Sequence, residues 1–498
     1  MPRFFPSSSV RMVLGLSLLS AGFGLSASAE DSVLAPFVAI DGTQSAVKLI
    51  HLRVVDGTGA DAREDQSVEI EHGRIASIHP STAAEVADGK TIFDMSGRTV
   101  LPGLVGMHDH LFYVARTDDN AELGHAYPTL LPQMSFSAPR LYLAEGVTTI
   151  RTTGSLDPYT DLNLKREIDA GRWVGPHMDV TGPYLQGPGN PFVQMHTLAT
   201  PAETKQAVDF WAALGVTSFK AYTHLTRAEL KAAIEASHAH GIKITGHLCS
   251  ITYPEAAELG IDNLEHGFMV NTQLDPDKQP DTCPRTGGGP TIRAMDADSA
   301  AAKELIALLI RKHVAVTSTL PVFEDNGADN PPLQQRQLDV LTPQAREAYL
   351  MARNRVRQSP QDRDATARYH ELAFKHEQEL EHRFVAEGGL LIAGPDPTGD
   401  GHILPGFGDQ REVELLVDAG FTPLEAIRIA TLNGAIYLGQ TDRIGSVAVG
   451  KNADLVIVKG DPARRIADIE NVELVFKDGL GLDSPKLAAS VKGRYGLY

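Results

Sequence analysis

The sequence predicts an α/β protein: a (β/α)8 TIM barrel, with a small β-sandwich domain formed from the N- and C-terminal segments. Three observations predict it. Apolar strand-like runs recur at 100–107, 146–152, 177–182, 215–221, 242–247, 262–266, 314–320 and 389–395. Helical stretches separate them, as in Arg227–His240, where Leu230, Ala233, Ile234 and Ser237 return at helical spacing. Short alternating strands punctuated by glycine occupy both ends of the chain. Strands alternating with helices imply a parallel sheet. Eight such units between residues 98 and 439 imply a barrel with insertions. A doubly wound open sheet would also alternate, but no Gly-rich nucleotide loop follows the first strand.

The ends justify the second domain. Residues 46–55, 67–71 and 75–78 read as strands, with turns at Asp56-Gly57-Thr58-Gly59 and at Gly73. The same texture returns in 445–451, 453–458 and 472–479. The simplest plan is one sandwich from residues 30–97 plus 440–482, a barrel over 98–439 and a C-terminal tail over 483–498. Two barrel insertions stand out. Residues 271–297 are rich in Pro, Gly and Asp, and 324–385 passes from a polar loop into a long charged helix. Both follow barrel strands, so each is either solvated decoration or a cover for the catalytic mouth.

Residues 1–29 are expected to be a signal peptide. Arg3 and Arg11 are the only charges before Glu30, a short apolar run continues to Leu25, and Ala27-Ser28-Ala29 offers a small-residue exit. The run is too short to span about 30 Å of hydrocarbon, so no stable membrane insertion is expected after cleavage. A periplasmic or secreted location follows. The formal net charge of -18 argues against nucleic acid, because binding phosphate requires clustered Lys and Arg. The two cysteines, Cys249 and Cys283, are free to pair in an oxidising compartment. The oligomeric state is not set by the sequence, and a homo-oligomer stays open.

The chemistry begins at His108-Asp109-His110. Residues i and i+2 of a strand point to one side, so two imidazoles leave the C-terminal end of the first barrel strand together, where barrels place catalytic groups. Imidazole suits zinc and similar divalent ions. His247, His266 and Asp396 fall at the exits of strands five, six and eight. Lys220 lies in the fourth strand, where a cation pointing into a barrel is costly unless something takes its charge. Carbamylation by carbon dioxide would do so and would create an anionic bridging ligand. Tyr222, two residues on, points the same way and can donate to an oxyanion; His224 is the alternative donor. Arg151, Arg285 and Arg411 are candidates for gripping a substrate carboxylate.

Together these motifs resemble the amidohydrolase superfamily, in particular its imidazolonepropionase-related and prolidase-like members. The resemblance rests on Leu101-Pro102-Gly103-Leu104 through His110, Gly246-His247, Leu264-Glu265-His266-Gly267, Ala393-Gly394-Pro395-Asp396 and the closing Gly450-Lys451-Asn452-Ala453-Asp454-Leu455-Val456. Pro395 departs from the small polar residue more usual there. The resemblance implies two divalent ions, zinc first. His108 and His110 would hold one and His247 and His266 the other. Carbamylated Lys220 would bridge them, and Asp396 would touch the first ion and move protons. Imidazolonepropionase itself looks like a one-metal enzyme without the bridging lysine, so Lys220 favours the dipeptidase-like branch. The implied activity is hydrolysis of a small-molecule amide, such as a dipeptide or N-acyl amino acid, by a metal-bridging hydroxide. A cyclic amide, carbamate, ester or phosphotriester is the alternative substrate in the same fold. A metal-binding protein without catalysis is the alternative from another class.

Overall fold

The computed structural model describes residues 33–82, 89–114, 131–189, 192–324, 331–358, 363–397 and 403–497. The expected signal peptide lies outside the described residues. The fold is mixed α/β. Eight parallel strands run in chain order: β1 (Leu104–Asp109), β2 (Val147–Thr152), β3 (His177–Val180), β4 (Ser218–Ala221), β5 (Lys243–Gly246), β6 (Asn263–Glu265), β7 (Ala315–Ser318) and β8 (Leu391–Ala393). β1, β2, β4, β6, β7 and β8 are buried at every residue, as expected of parallel strands covered on both faces.

Their hydrogen bonding forms two ladders, β1-β2-β3 and β4 through β8, rather than one continuous ring. The ladders touch at both junctions. Between β3 and β4, Thr217 N–H donates to the Val180 carbonyl (2.8 Å) and Gly182 N–H to the Ser218 carbonyl (2.9 Å). Between β8 and β1, Asp396 N–H donates to the His108 carbonyl at 3.0 Å. Gly394 permits this last approach, because a Cβ there would collide with the backbone nitrogen of His108. The arrangement is consistent with the expected barrel, without a closed ladder among the described residues.

Helices start where side chains can cap them. Thr226, Thr252 and Thr422 each form a capping box, with Glu229, Glu255 and Glu425. The expected helix 227–240 spans Arg227–Ala239, with His240 as its C-cap. The insertion at 324–385 is more than solvated decoration. Its long helix, Arg363–Ala386, buries Glu377, Leu380, Glu381 and Phe384. Glu377 accepts the Phe268 N–H just beyond β6 at 2.9 Å. The other insertion is tied down by Asp275, which accepts from Thr286, Gly288 and Thr291, and by a disulfide between Cys249 and Cys283.

In the region read as a small sandwich, strands from both ends of the chain share one nine-stranded sheet. Its order is Val38–Asp41, Leu480–Asp483, Val472–Lys477, Leu455–Lys459, Arg98–Pro102, Val47–Val54, Arg63–Glu71, Arg74–Pro80, with Thr91–Asp94 also on Val47–Val54. The ladder stays continuous because Val47–Val54 pairs with three strands and is irregular after Leu49 and Leu52, which bends it. Ile40, Leu49, Val68, Leu455 and Phe476 meet in one apolar cluster. The expected strand at 445–451 does not form. Instead Val447 N–H donates to the Asp56 carbonyl and Gly450 N–H to the Ile75 carbonyl. The C-terminal segment docks on the barrel: Ser484 Oγ donates to the Ala144 carbonyl (2.5 Å), and Tyr495 is buried with its hydroxyl 3.3 Å from the Phe112 carbonyl.

Candidate metal centre and active site

The floor of the site is a buried polar layer inside the parallel strands. Arg151 on β2 donates through Nη2 to Asn263 Oδ1 (2.9 Å) and Glu265 Oε1 (2.8 Å), and through Nε to the Met107 carbonyl (2.8 Å). Thr245 Oγ1 donates to Glu265 as well. Glu265 is thereby held ionised: burial pushes its pKa up, but Arg151 and His108 bring it well below the usual carboxylate range. Its second oxygen, Oε2, sits 2.7 Å from His108 Nδ1. A carboxylate on Nδ1 fixes the tautomer that leaves Nε2 available as a ligand.

His108 Nε2 and His110 Nε2 lie 3.7 and 3.2 Å from Asp396 Oδ1. The three side chains are buried, and each offers a ligand atom within 4.8 Å of the other two. His247 and His266 stand beside them, rings 4.3 Å apart, and the His108 and His266 rings are 4.6 Å apart. His266 Nδ1 bonds Thr319 Oγ1 at 3.0 Å. Lys220 on β4 is buried, with Nζ 3.1 Å from His108 Nε2 and donating to the Thr153 carbonyl at 3.1 Å. His266 and Asp396 both adopt left-handed backbone, φ 66° and 54°, a conformation that costs a non-glycine residue about 1–3 kcal/mol. His266 directly follows β6, and Asp396 lies three residues beyond β8.

Electrostatics makes this a donor set. Burial pushes His108 down to about 4, helped by the Lys220 charge, and lowers His110 too. His247 and His266 fall well below the usual imidazole value, from burial and from neighbouring cationic groups. All four imidazoles are therefore neutral at pH 7, with lone pairs to give. Burial alone would protonate Asp396, but His108 and His110 hold it as a carboxylate. Asp396 Oδ1 and His266 Nε2 are enclosed and make no hydrogen bond. An unsatisfied buried acceptor costs about 1–3 kcal/mol, a deficit that a bound divalent cation removes. The residues present fit such an ion.

The outer members differ in placement. The Tyr222 ring is 5.0 Å from His247 and 4.9 Å from Tyr184, and burial pushes its phenol up, so it is a donor. His224 turns away: its Nδ1 contacts Thr223 Oγ1 (2.8 Å) and Gln186 Nε2 (3.3 Å) rather than any member of the cluster. Two of the three candidate arginines are otherwise engaged. Arg151 is wholly buried beneath the histidines, and Arg411 pairs with Glu324 and Glu414. Arg285 is exposed on the 271–297 insertion.

Parts of the chain are similar to known proteins. The profile of the Amidohydrolase family matches residues 408–480. Imidazolonepropionase of Saccharopolyspora erythraea is 37% identical over 107 residues, 21% of this chain and 24% of that protein. Imidazolonepropionase of Stenotrophomonas maltophilia is 25% identical over 258 residues, 44% of this chain and 62% of that protein. The match thus spans under two thirds of the length of each of these relatives. In fold, a Xaa-Pro dipeptidase solved with methionine in its active site superposes with TM-score 0.64 at 20% identity, covering 88% of this chain and all of that one. The matches to the Amidohydrolase family and to the imidazolonepropionases cover parts of the chain, and the likeness to the dipeptidase is one of fold. The residues that the sequence alone does not bring forward are Glu265, Arg151 in its supporting role, and Tyr184, whose ring lies 5.2 Å from Lys220 Nζ. Glu265 had a signal: Asn263, two residues before it in β6, points to the same side, and Arg151 binds both.

Proposed function

We propose that this chain belongs to the amidohydrolase superfamily and is an exported binuclear metal-dependent hydrolase of amide C–N bonds, acting on dipeptides or N-acyl amino acids. One observation carries the reading: an unpartnered, buried Asp396 oxygen faces two neutral histidines at strand ends, beside a buried lysine. His108 and His110 would hold one ion, His247 and His266 the second, within a complete (β/α)8 barrel. Divalent ions bound there would supply an acidified water and a Lewis acid for the scissile carbonyl.

The remaining chemistry belongs to side chains. Burial brings Lys220 down to about 8, so a neutral amine is accessible near neutral pH. That amine can add to carbon dioxide, forming an N–C bond and releasing one proton, to give an anionic carbamate that would help hold the ions. Asp396 takes the proton of the attacking water on its carboxylate and returns it to the leaving amine nitrogen. Tyr222, kept protonated by burial, donates to the oxyanion; His224 would serve only after its loop turns inward. No helix among the described residues is long and apolar enough to cross a membrane, and the short apolar run with its small-residue exit ahead of Glu30 supports export. The test is a panel of dipeptides and N-acyl amino acids offered to zinc-loaded full chain. Release of free amine supports the reading. Cleavage only of lactams, carbamates or esters would redirect it to the alternative substrate class.

A further inference from the structure

A second cluster of the same residue types lies at the opposite end of the strands. His177 opens β3, so its side chain sits at the N-terminal rim, away from the catalytic mouth. Asp454 precedes the strand Leu455–Lys459, and Asp478 follows the strand Val472–Lys477 in the nine-stranded sheet. Three elements from distant parts of the chain thus converge where the sheet meets the parallel strands.

His177 Nε2 lies 3.6 Å from Asp454 Oδ2 and 3.2 Å from Asp478 Oδ2. The three ligand atoms lie within 4.8 Å of one another. Asp454 is held firmly, with Oδ1 accepting the Asp478 N–H at 2.7 Å, and its side chain is 2% exposed. Asn452 Nδ2 donates to the other oxygen of Asp478 at 3.1 Å, and Lys477 Nζ stands 3.3 Å from Oδ2. His177 Nε2 and Asp454 Oδ2 are nevertheless enclosed atoms that make no hydrogen bond. A divalent ion set among these atoms would draw on the two enclosed donors and on Asp478 Oδ2. The donor separations also fit: a tetrahedral zinc with bonds of about 2.0 Å sets its ligands about 3.3 Å apart.

We propose that His177, Asp454 and Asp478 form a second, structural site for a divalent transition ion of the zinc type, clamping β3 to the nine-stranded sheet. One imidazole with two carboxylates is a borderline donor set, which favours zinc or manganese over calcium, whose ligands are oxygens. Asp478 is half exposed, which leaves the ion a route from solvent. The clamp stands independently of the catalytic reading.

The experiment saturates the full chain with Zn²⁺, removes free metal by gel filtration and counts zinc per chain by plasma mass spectrometry. His177→Gln and Asp478→Asn should each hold one zinc fewer than the wild type, and each should lose part of the zinc-dependent rise in melting temperature. Asp478→Asn is the safer variant, because its side chain is the most exposed of the three. Variants that bind as many ions as the wild type, with the same zinc-dependent rise, would overturn the site and leave an ion pair in its place.

Discussion

Two histidine–aspartate clusters stand at opposite ends of the parallel strands, and their histidines are pushed in opposite directions. At the mouth, burial wins and His108 falls to about 4. At the rim, burial also pulls His177 down, but Asp454 and Asp478 overcome it and the imidazole rises to about 9. The residue types are alike; what differs is the ratio of negative charge to cationic neighbours. The mouth gathers four imidazoles and Lys220 around Asp396, with Glu265 beneath them already engaged by Arg151. The rim sets one imidazole against two carboxylates. The mouth is thus a set of neutral donors around one carboxylate, suited to chemistry. The rim is a negative pocket, suited to holding a cation still.

The largest expected effect tests the mouth. Asp396→Asn keeps the shape of the side chain and removes the proton carrier. Turnover should fall at least about a thousandfold, while zinc content at the mouth stays within one ion of the wild type; an active variant would remove Asp396 from proton transfer. Next comes the support beneath it. Glu265→Gln loses the charge on His108 Nδ1 and leaves Arg151 short of its partner, so zinc affinity at the mouth should weaken by about 10–100-fold in competition with a chelator. Unchanged affinity would make Glu265 a filler of the interior.

The sequence made parts of this legible and hid others for physical reasons. His108 and His110 are readable because a strand repeats every two residues. Asp396 and His266 are readable as polar residues just past apolar runs, although nothing in the sequence announces their left-handed backbone. Lys220 is readable because a buried cation demands an explanation. Arg151 misleads: an arginine suggests a substrate anchor until Glu265, over a hundred positions later, is seen to be its partner. The rim cluster is invisible for the same reason, since His177 lies hundreds of positions from Asp454 and Asp478. The single nine-stranded sheet depends on a bend in Val47–Val54, which alternation alone does not encode.

The disulfide gives a further check of the mouth. Cys249 follows His247 closely and is joined to Cys283, 34 positions on. Removing the link frees a long loop in the unfolded chain, so Cys249→Ser/Cys283→Ser should lose about 3–4 kcal/mol in denaturant unfolding. The smallest effect isolates burial from charge. Asp161 is buried, with Ser155 and Gln133 as its side-chain hydrogen-bond partners among the described residues, and burial raises it to about 7. A carboxyl raised on folding favours the protonated form, so its contribution is intact below the usual carboxylate range and is lost as pH climbs through 7. Asp161→Asn should therefore gain about 2 kcal/mol relative to the wild type at pH 8 and little at pH 4. An equal difference at both pH values would mean that burial does not govern this group, and would weaken the contrast between the two clusters.

The most direct measurement of the central claim is amide hydrolysis by the full chain before chelation, after chelation and after zinc is restored. The account predicts release of free amine from a dipeptide or N-acyl amino acid, its loss on chelation and its return with zinc. Hydrolysis that is indifferent to chelation, or a chain that holds no divalent ion at the mouth, would contradict it.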